Sequence, residues 1–212
     1  YIALVADEVC DALGITEYQL GNSGLSIYTA YDPAMQSVLV DNTVSKANYS
    51  AAGIDGSASV ICNATGEINA YYSTTGYEIS RGPGSAIKPL AVYAPALEEG
   101  KITLATPIRD EKTDFGGYSP QNFDGVYYGD TTPREALKKS MNSAAVRVLT
   151  FVGAERAAEY CSALGIEVNK EDANLALALG ATGKGVNTNT LAAAYSTFAR
   201  GGEYIPPHTV RS

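Results

Sequence analysis

The stretch RGPGSAIKPL, residues 81–90, places Ser85 behind two glycines and a proline, with Lys88 three positions further on. Proline fits a helix only in the first turn, where its missing N–H has no partner in any case. Pro89 therefore predicts that a helix begins at about Gly84 or Ser85. Side chains three positions apart are neighbours on a helix, so Ser85 and Lys88 are expected on one face of its first turn.

This position suits a nucleophile and its base. Backbone N–H groups and the helix dipole favour negative charge that develops at the Ser85 hydroxyl. The same field disfavours an ammonium group, so a desolvated Lys88 would have a lowered pKa and could act as a free-amine base. Taken alone, however, Ser-x-x-Lys is more often an exposed capping serine beside a solvated lysine.

A second motif lies in KSMNSAAVR, residues 139–147, which contains Ser140-Met141-Asn142. Ser140 offers a hydroxyl that can relay a proton, and Asn142 offers an amide that can hold a substrate carbonyl. The alternative interpretation is a polar helix surface or the junction of two helices, with Asn142 as a cap. The two motifs together supply the groups that a serine and lysine site requires.

Charge and composition exclude several classes of protein. The 212 residues carry 15 Lys and Arg against 23 Asp and Glu, a net charge of −8. Because the basic residues form no cluster longer than Lys138-Lys139, we expect no nucleic-acid partner, and an anionic membrane surface would repel the chain. No run of about 18 apolar residues predicts a membrane span. With three dispersed cysteines and one histidine, we expect no metal site and no cofactor, while a single disulfide stays possible.

The order of predicted elements indicates an α+β protein. Two β-prone runs within residues 57–73 flank an Asn- and Gly-containing turn and predict a hairpin. LSIYTAY, residues 25–31, alternates like a strand. Helical patterns dominate after residue 85, and Thr132-Pro133-Arg134-Glu135 predicts a helix start with a capping box. The segment GATGKG, residues 180–185, lacks the first glycine and the final Ser or Thr of a phosphate-binding loop and is interpreted as a turn between helices.

The order Ser-x-x-Lys, then Ser-x-Asn, resembles that of the penicillin-recognising serine enzymes. The flanking sequence is similar to the transpeptidase domain of bifunctional, class A penicillin-binding proteins. The segments that carry this resemblance are GLSIYTAYDPAMQ (24–36), ATGEINAYY (64–72), RGPGSAIKPL (81–90), YSPQNFDGVYYGDTTPREALKKSMNSAAVRV (118–148) and LALGATGKGVNTNTLAAAYSTFARGGEYIPP (177–207).

The resemblance implies a β-lactamase/transpeptidase-like α+β fold, with a helix-rich subdomain and an N-terminal antiparallel hairpin that belongs to an incomplete sheet. Residues 1–50 would be a linker that leads into the transpeptidase domain. Residues 51–212 would be the N-terminal portion of that domain.

The resemblance also implies the role of each motif residue. Ser85 would attack the D-Ala-D-Ala carbonyl of a peptidoglycan stem peptide, and Lys88 would take its proton. Ser140 would relay that proton to the leaving amine, and Asn142 would bind the amide of the substrate. Acyl transfer to a neighbouring amine would then form the cross-link, and β-lactam antibiotics would leave Ser85 acylated.

One departure from the family pattern is visible. The third motif of the family, Lys-Thr-Gly or Lys-Ser-Gly, is absent; Lys112-Thr113-Asp114 fails at the glycine, and Thr182-Gly183-Lys184 has the wrong order. We interpret the absence as truncation rather than degeneration. We therefore expect these 212 residues to acylate slowly or not at all, and an incomplete sheet with unpaired edges could self-associate.

Two alternatives to a transpeptidase stay open. A D-Ala-D-Ala carboxypeptidase or β-lactamase of the same superfamily would pass the acyl group to water, and no residue visible in the sequence selects the acceptor. A non-catalytic sensor or scaffold module would explain the missing third motif. In each case the resemblance implies a parent protein at the extracytoplasmic face of the bacterial cell membrane, with contact to the membrane only through an anchor outside these residues.

Overall fold

The computed structural model describes residues 1–42 and 55–211. Their contacts group the chain into two compact units: unit 1 comprises Tyr1–Ser80 and Asn187–Ser212, and unit 2 comprises Arg81–Val186. The boundary expected at residue 50 lies outside the described residues, so the division into 1–50 and 51–212 stays a prediction. Within the described ranges, no helix is both long and apolar enough to cross a bilayer.

The described residues of unit 1 form four helices and a hairpin. The first begins the chain and buries Val5 and Val9, which lie one turn apart. It ends at Gly14, whose φ of 64° is the left-handed conformation that glycine adopts at helix C-termini. The helices are α1 (Ile2–Leu13), α2 (Glu17–Gly21), α3 (Pro33–Asn42) and α8 (Thr188–Ala199), numbered in chain order with those of unit 2.

The hairpin predicted within residues 57–73 is confirmed. Strand β1 (Ser57–Ile61) pairs antiparallel with β2 (Ile68–Ser73), in a register that places Ser57 opposite Ser73. Helix α8 packs on β1 and α3 packs on β2. These two helices cover the hairpin, and Ile68, Ala70 and Tyr71 of β2 are buried.

The prediction of a strand at residues 25–31 is wrong. In this segment only Thr29 makes a β-bridge, to Val210, although Ala30 N–H also donates to Thr209 O at 2.8 Å. Alternation of apolar and polar residues produces a strand only where a partner backbone runs alongside over several residues. Leu25 and Tyr28 are exposed, so the apolar side chains of this segment do not define a buried face.

Unit 2 is built around one helix with three kinds of turn. It begins as a 3-10 turn at Gly84–Ile87, widens to a π-helix at Lys88–Tyr93 and ends as α4 (Ala94–Glu98). The predicted start at Gly84 or Ser85 is confirmed. Pro95 lies in the first turn of α4, directly after the wide π turn. A widened turn gives room for a proline ring that would otherwise clash with the carbonyl four residues earlier.

The core of unit 2 forms where this helix packs against three others. They are α6 (Asn142–Val152), α7 (Ala154–Ala163) and a 3-10 helix at Leu175–Leu179. Small and branched side chains fill the contact, and the fully buried ones include Ile87, Leu90, Val92, Ala145, Val148, Leu149, Cys161, Ile166 and Leu177.

A short hairpin and a capped helix complete unit 2. Strand β3 (Ile108–Asp110) pairs antiparallel with β4 (Gly129–Thr131). Helix α5 (Pro133–Lys138) begins where predicted, and Thr132 Oγ1 accepts the hydrogen bond of Glu135 N–H at 3.4 Å. The Glu135 carboxylate lies 3.7 Å from Lys138. The carboxylate pairs with Lys138 rather than with the Thr132 backbone, so only the Thr132 half of the predicted capping box forms.

Candidate active site

Ser85 lies at the amino end of the central helix of unit 2 and is exposed. The preceding Gly84 has a φ of 56°, a left-handed conformation that costs glycine nothing. Arg81, just upstream, pairs with Val186 through both of its backbone groups. The glycines that the sequence places before Ser85 therefore make the turn that brings its hydroxyl to the surface of a cleft.

Lys88 lies one helical turn below Ser85 and is completely buried. Its Nζ lies 2.7 Å from Ser140 O, 3.0 Å from Ser140 Oγ and 2.6 Å from Asn142 Oδ1. Burial lowers the pKa of this amine from 10.5 to about 8, because the charged form loses its hydration. The site thus holds an amine that loses its proton far more readily than an ordinary lysine.

The three contacts of Lys88 match a neutral amine as well as an ammonium group. A neutral amine keeps two N–H donors and gains one lone pair. Ser140 O and Asn142 Oδ1 are acceptors, so they take the two N–H groups. The lone pair then faces Ser140 Oγ–H, which can donate. Lys88 and Ser140 are therefore arranged to exchange a proton directly.

Ser140 occupies a conformation that only a few residue types adopt. Its φ is 54°, and among the described residues it alone has a positive φ without being glycine. It lies between α5 and α6, where Ser140 N–H donates to Leu137 O at 3.0 Å. A left-handed residue here costs about 1 kcal/mol or more. The strain is located at the residue whose two oxygens both contact the lysine.

Asn142 is the first residue of α6, and both ends of its amide are engaged. Its Oδ1 accepts from Lys88 Nζ, and its Nδ2 donates to Gln121 O at 2.7 Å. These partners fix which end of the amide faces the lysine. One N–H of Nδ2 stays available to a substrate carbonyl, since an amide nitrogen carries two donors.

A cleft of about 380 Å³ joins these groups. Ser85, Ser140 and Asn142 line it together with loop residues that include Phe123, Asp124 and Tyr128. Lys88 lies beneath, shielded from solvent. The structure therefore brings all four residues that the sequence singled out to one place, although their chemical roles stay predictions.

One wall of the cleft carries a negatively charged and a positively charged side chain. Tyr128 OH donates to Asp124 Oδ2 at 2.5 Å, and Lys139 Nζ lies 4.3 Å from the centre of the Tyr128 ring. The hydrogen bond from Tyr128 holds the pKa of Asp124 below its usual range. Phe123 is fully exposed at the rim. This wall offers a substrate an apolar surface beside a carboxylate and an ammonium group.

Two polar residues at the cleft were missed in the sequence, Asn122 in its lining and Asp110 behind it. Asp110 is completely buried and Asn122 is 6% exposed, and Asn122 Nδ2 donates to Asp110 Oδ2 at 2.7 Å. Neither residue lies in a short motif. Asp110 lies in a β-prone run, and Asn122 follows Ser-Pro-Gln. These local patterns are too weak to predict that the two side chains are hydrogen-bonded.

A surface serine, a buried lysine of lowered pKa and a Ser-x-Asn turn lie at one cleft of a helix-rich α+β domain, an arrangement that serine acyl-transfer chemistry would require. Comparison with known proteins gives its family. The family model described as penicillin binding protein transpeptidase domain matches residues 29–212. The chain belongs to this family, and the resemblance and fold class inferred from the sequence are confirmed.

Curated relatives agree with this assignment. Penicillin-binding protein 1F of Bacillus subtilis is 36% identical over 222 aligned residues, which cover 100% of this chain and 31% of that protein. Penicillin-binding protein 1A of Clostridium acetobutylicum is 33% identical, with 97% of this chain and 29% of that protein covered. The chain thus spans about a third of the length of these relatives.

A solved structure supports the fold. PonA1 from Mycobacterium tuberculosis, in complex with penicillin V, superposes with a TM-score of 0.86 at 26% sequence identity. The match covers 98% of this chain and 60% of the PonA1 chain. The fold of the chain is therefore that of a penicillin-binding protein transpeptidase domain.

Proposed function

We propose that this domain catalyses acyl transfer from D-Ala-D-Ala peptides through a Ser85 ester, and that β-lactams acylate the same hydroxyl. The observation that carries the proposal is the buried Lys88 amine, held by Ser140 and Asn142 directly beneath the cleft that Ser85 lines. A lysine with a pKa of about 8 has a substantial free-amine fraction near neutral pH.

The first half-reaction uses each of the four residues. Lys88 turns its lone pair from Ser140 Oγ to Ser85 Oγ and takes the proton of Ser85 as Oγ bonds to the carbonyl carbon of the penultimate D-alanine. The bond from that carbon to the nitrogen of the last D-alanine then breaks. Ser140 passes a proton from Lys88 to this nitrogen, and D-alanine leaves as a neutral amine. Asn142 Nδ2 holds a carbonyl oxygen of the peptide during the reaction.

The second half-reaction frees Ser85. An amine of a neighbouring stem peptide attacks the ester carbon and loses a proton to the Ser140 and Lys88 pair. The ester bond breaks and Ser85 Oγ regains its proton. With a β-lactam, the ring C–N bond breaks in the first half-reaction, but the amine stays attached, and the acyl group remains on Ser85.

Labelling with a fluorescent penicillin tests the proposal. We expect one penicillin per chain, bound to Ser85 by mass spectrometry of the digested protein, and formed slowly because the sequence holds no Lys-Thr-Gly or Lys-Ser-Gly triplet. Ser85→Ala should remove the label. Ser162→Ala, on the exposed surface of α7, is the matched control and should be labelled as the unchanged chain is. A label that survives Ser85→Ala would overturn the proposed role of Ser85, and rapid stoichiometric labelling would overturn the expectation that acylation is impaired without the third motif.

A transpeptidase and a carboxypeptidase differ in the nucleophile that accepts the acyl group from Ser85. A thioester analogue of the donor peptide, offered with and without a D-amino acid, reports which nucleophile resolves the acyl enzyme. A transpeptidase forms the new amide with the D-amino acid, whereas a carboxypeptidase forms only the acid. Because cross-linking substrate is extracytoplasmic, the proposed function also implies that the domain works outside the cytoplasmic membrane.

A further inference from the structure

The side chain of Asn122 caps the amino end of α6, although it lies 20 positions before Asn142. The residue at the cap position of this helix is Met141, which has no side-chain oxygen and makes no capping hydrogen bond. Helix N-termini leave backbone N–H groups without partners. Here Asn122 Oδ1 accepts from Asn142 N–H at 2.6 Å and from Ser143 N–H at 3.4 Å.

The Asn122 amide has no hydrogen-bonding capacity left over. Its Nδ2 donates to Asp110 Oδ2 at 2.7 Å and to Val126 O at 2.8 Å. An amide offers two donors and two acceptor sites, and all four are used. The orientation of the Asn122 side chain is therefore fixed by its partners, and an exchange of its oxygen and nitrogen would break every contact.

Asp110 anchors this arrangement at the end of β3. Its side chain is completely buried, and Oδ2 also accepts from Tyr128 N–H at 2.9 Å. One buried oxygen thus holds both the Asn122 side chain and the backbone of the loop that forms the cleft wall. Burying a carboxylate costs free energy unless the group is hydrogen-bonded. The contacts with Asn122 and Tyr128 therefore offset part of the cost of burying Asp110.

A continuous series of hydrogen bonds connects Asp110 to Lys88. Asp110 holds Asn122, Asn122 holds the backbone N–H of Asn142, and Asn142 Oδ1 lies 2.6 Å from Lys88 Nζ. A shift of Asn122 would therefore move the residue that sets the position of the amine.

We propose that Asn122, held by Asp110, is a positioning residue for acyl transfer: it fixes the start of α6 so that Asn142 and Ser140 keep the Lys88 amine in its reactive place. This inference rests on the proposed function for its effect on rate. Its effect on the lysine itself can be measured without any reaction.

Exchange of the two side chains provides the test. Asn122→Asp keeps both acceptor contacts to α6 but loses both donors and sets two carboxylates against each other. Misplacement of about 1 Å can cost about 10²-fold in rate, and we expect a loss of that order in penicillin acylation. In the double variant, Asp110→Asn with Asn122→Asp, an amide again faces a carboxylate. Tyr128 N–H and Val126 O both lose their partners, however, so the rate should recover only in part.

The pKa of Lys88 gives a readout that a general loss of stability would not produce. Asn122→Ala removes all the contacts of the Asn122 amide without changing any charge, so a change in the Lys88 pKa reports displaced contacts with Asn142 and Ser140. A ¹³C NMR titration of the lysine side chains measures this pKa directly. Asn22→Ala is the matched control, because it removes an exposed amide that lies outside unit 2.

The outcomes separate the two proposals. A label that survives Ser85→Ala would count against the proposed function and leave the NMR titration unaffected. If the unchanged chain forms no penicillin ester, the NMR titration alone decides the positioning role. An unaltered Lys88 pKa in Asn122→Ala would overturn that role. It would also be overturned if the rate lost in Asn122→Asp matched the unfolded fraction of that variant measured by circular dichroism.

Discussion

Gly180 packs so closely against Gly84 that a Cβ at position 180 would lie 2.5 Å from the Gly84 carbonyl oxygen. Gly185 approaches Arg81 in the same way, where a Cβ would lie 2.6 Å from the backbone nitrogen. The turn at residues 180–185 therefore supports the segment that carries Ser85. The two glycines are needed because backbone meets backbone at both points.

The substitution Gly180→Ala should disturb both stability and acylation. The added Cβ meets fixed backbone atoms, and the φ of 82° is itself strained for alanine. We expect a loss of unfolding free energy larger than the roughly 1–2 kcal/mol that left-handed strain alone costs, together with slower labelling of Ser85. Urea denaturation and fluorescent penicillin measure the two effects.

The matched control is Gly100→Ala. Gly100 has a φ of 65° and open space around the added Cβ, so this variant reports the strain alone. Equal losses of stability in the two variants would show that the contact between Gly180 and Gly84 is unimportant.

This contact also shows what the sequence could not reveal. The pattern of residues 180–185 predicts a turn, and a turn is present, but nothing in the pattern indicates that it packs against residues 81–84. Close approach of two backbones depends on the tertiary fold rather than on local propensity. The start of the helix at Gly84 was predictable because Pro89 restricts it locally.

The acylation rate should rise with pH through a midpoint of about 8. Only the free amine of Lys88 can accept the proton of Ser85, and burial lowers its pKa to about 8. Below the midpoint the rate constant for labelling at low penicillin concentration should fall tenfold per pH unit, because it follows the free enzyme. A midpoint near 10.5, the value of an ordinary lysine, would contradict this role.

The free energy of unfolding should also depend on pH through Lys88. Below pH of about 8 the folded and unfolded chains both protonate Lys88, and the folded chain bears the full cost of burying the charge. Between about 8 and 10.5 only the unfolded chain binds the proton, so the free energy of unfolding rises with pH. Above 10.5 both states are neutral and the cost is absent. The rise amounts to roughly 3 kcal/mol.

A comparison with Lys88→Met isolates this contribution. The variant keeps a long side chain in the same space but has no amine to titrate. Its unfolding free energy, measured by urea denaturation across the same pH range, should lack the rise seen in the unchanged chain. Tyrosines and cysteines that titrate in this range are present in both proteins and cancel in the difference. Parallel curves for the two proteins would show that Lys88 is not desolvated.

The candidate site was predictable to the extent that its groups lie in short motifs. Ser85 with Lys88, and Ser140 with Asn142, are each close in sequence, and the order of the pairs resembles a known family. Asn122 and Asp110 act through contacts with residues far along the chain, so no local pattern marks them. The left-handed conformation of Ser140 was likewise invisible, because serine has no special preference for it.

The strain at Ser140 leads to a last prediction, that stability and activity diverge there. Ser140→Ala and Ser140→Gly both remove the hydroxyl that faces Lys88, so both should lose acylation to a similar extent. They differ in the backbone. Glycine relieves left-handed strain of roughly 1–2 kcal/mol, which exceeds the roughly 0.4–1 kcal/mol that its more flexible unfolded chain costs.

We therefore expect Ser140→Gly to unfold at a higher urea concentration than Ser140→Ala, while neither forms the penicillin ester at the rate of the unchanged chain. The comparison is internally controlled, because the Lys88 contact to the backbone oxygen of residue 140 is available in both variants. Equal stability of the two variants would mean that the turn relaxes away from the left-handed conformation once the hydroxyl is gone. In that event the contact with Lys88, rather than the fold around it, holds Ser140 in its strained position.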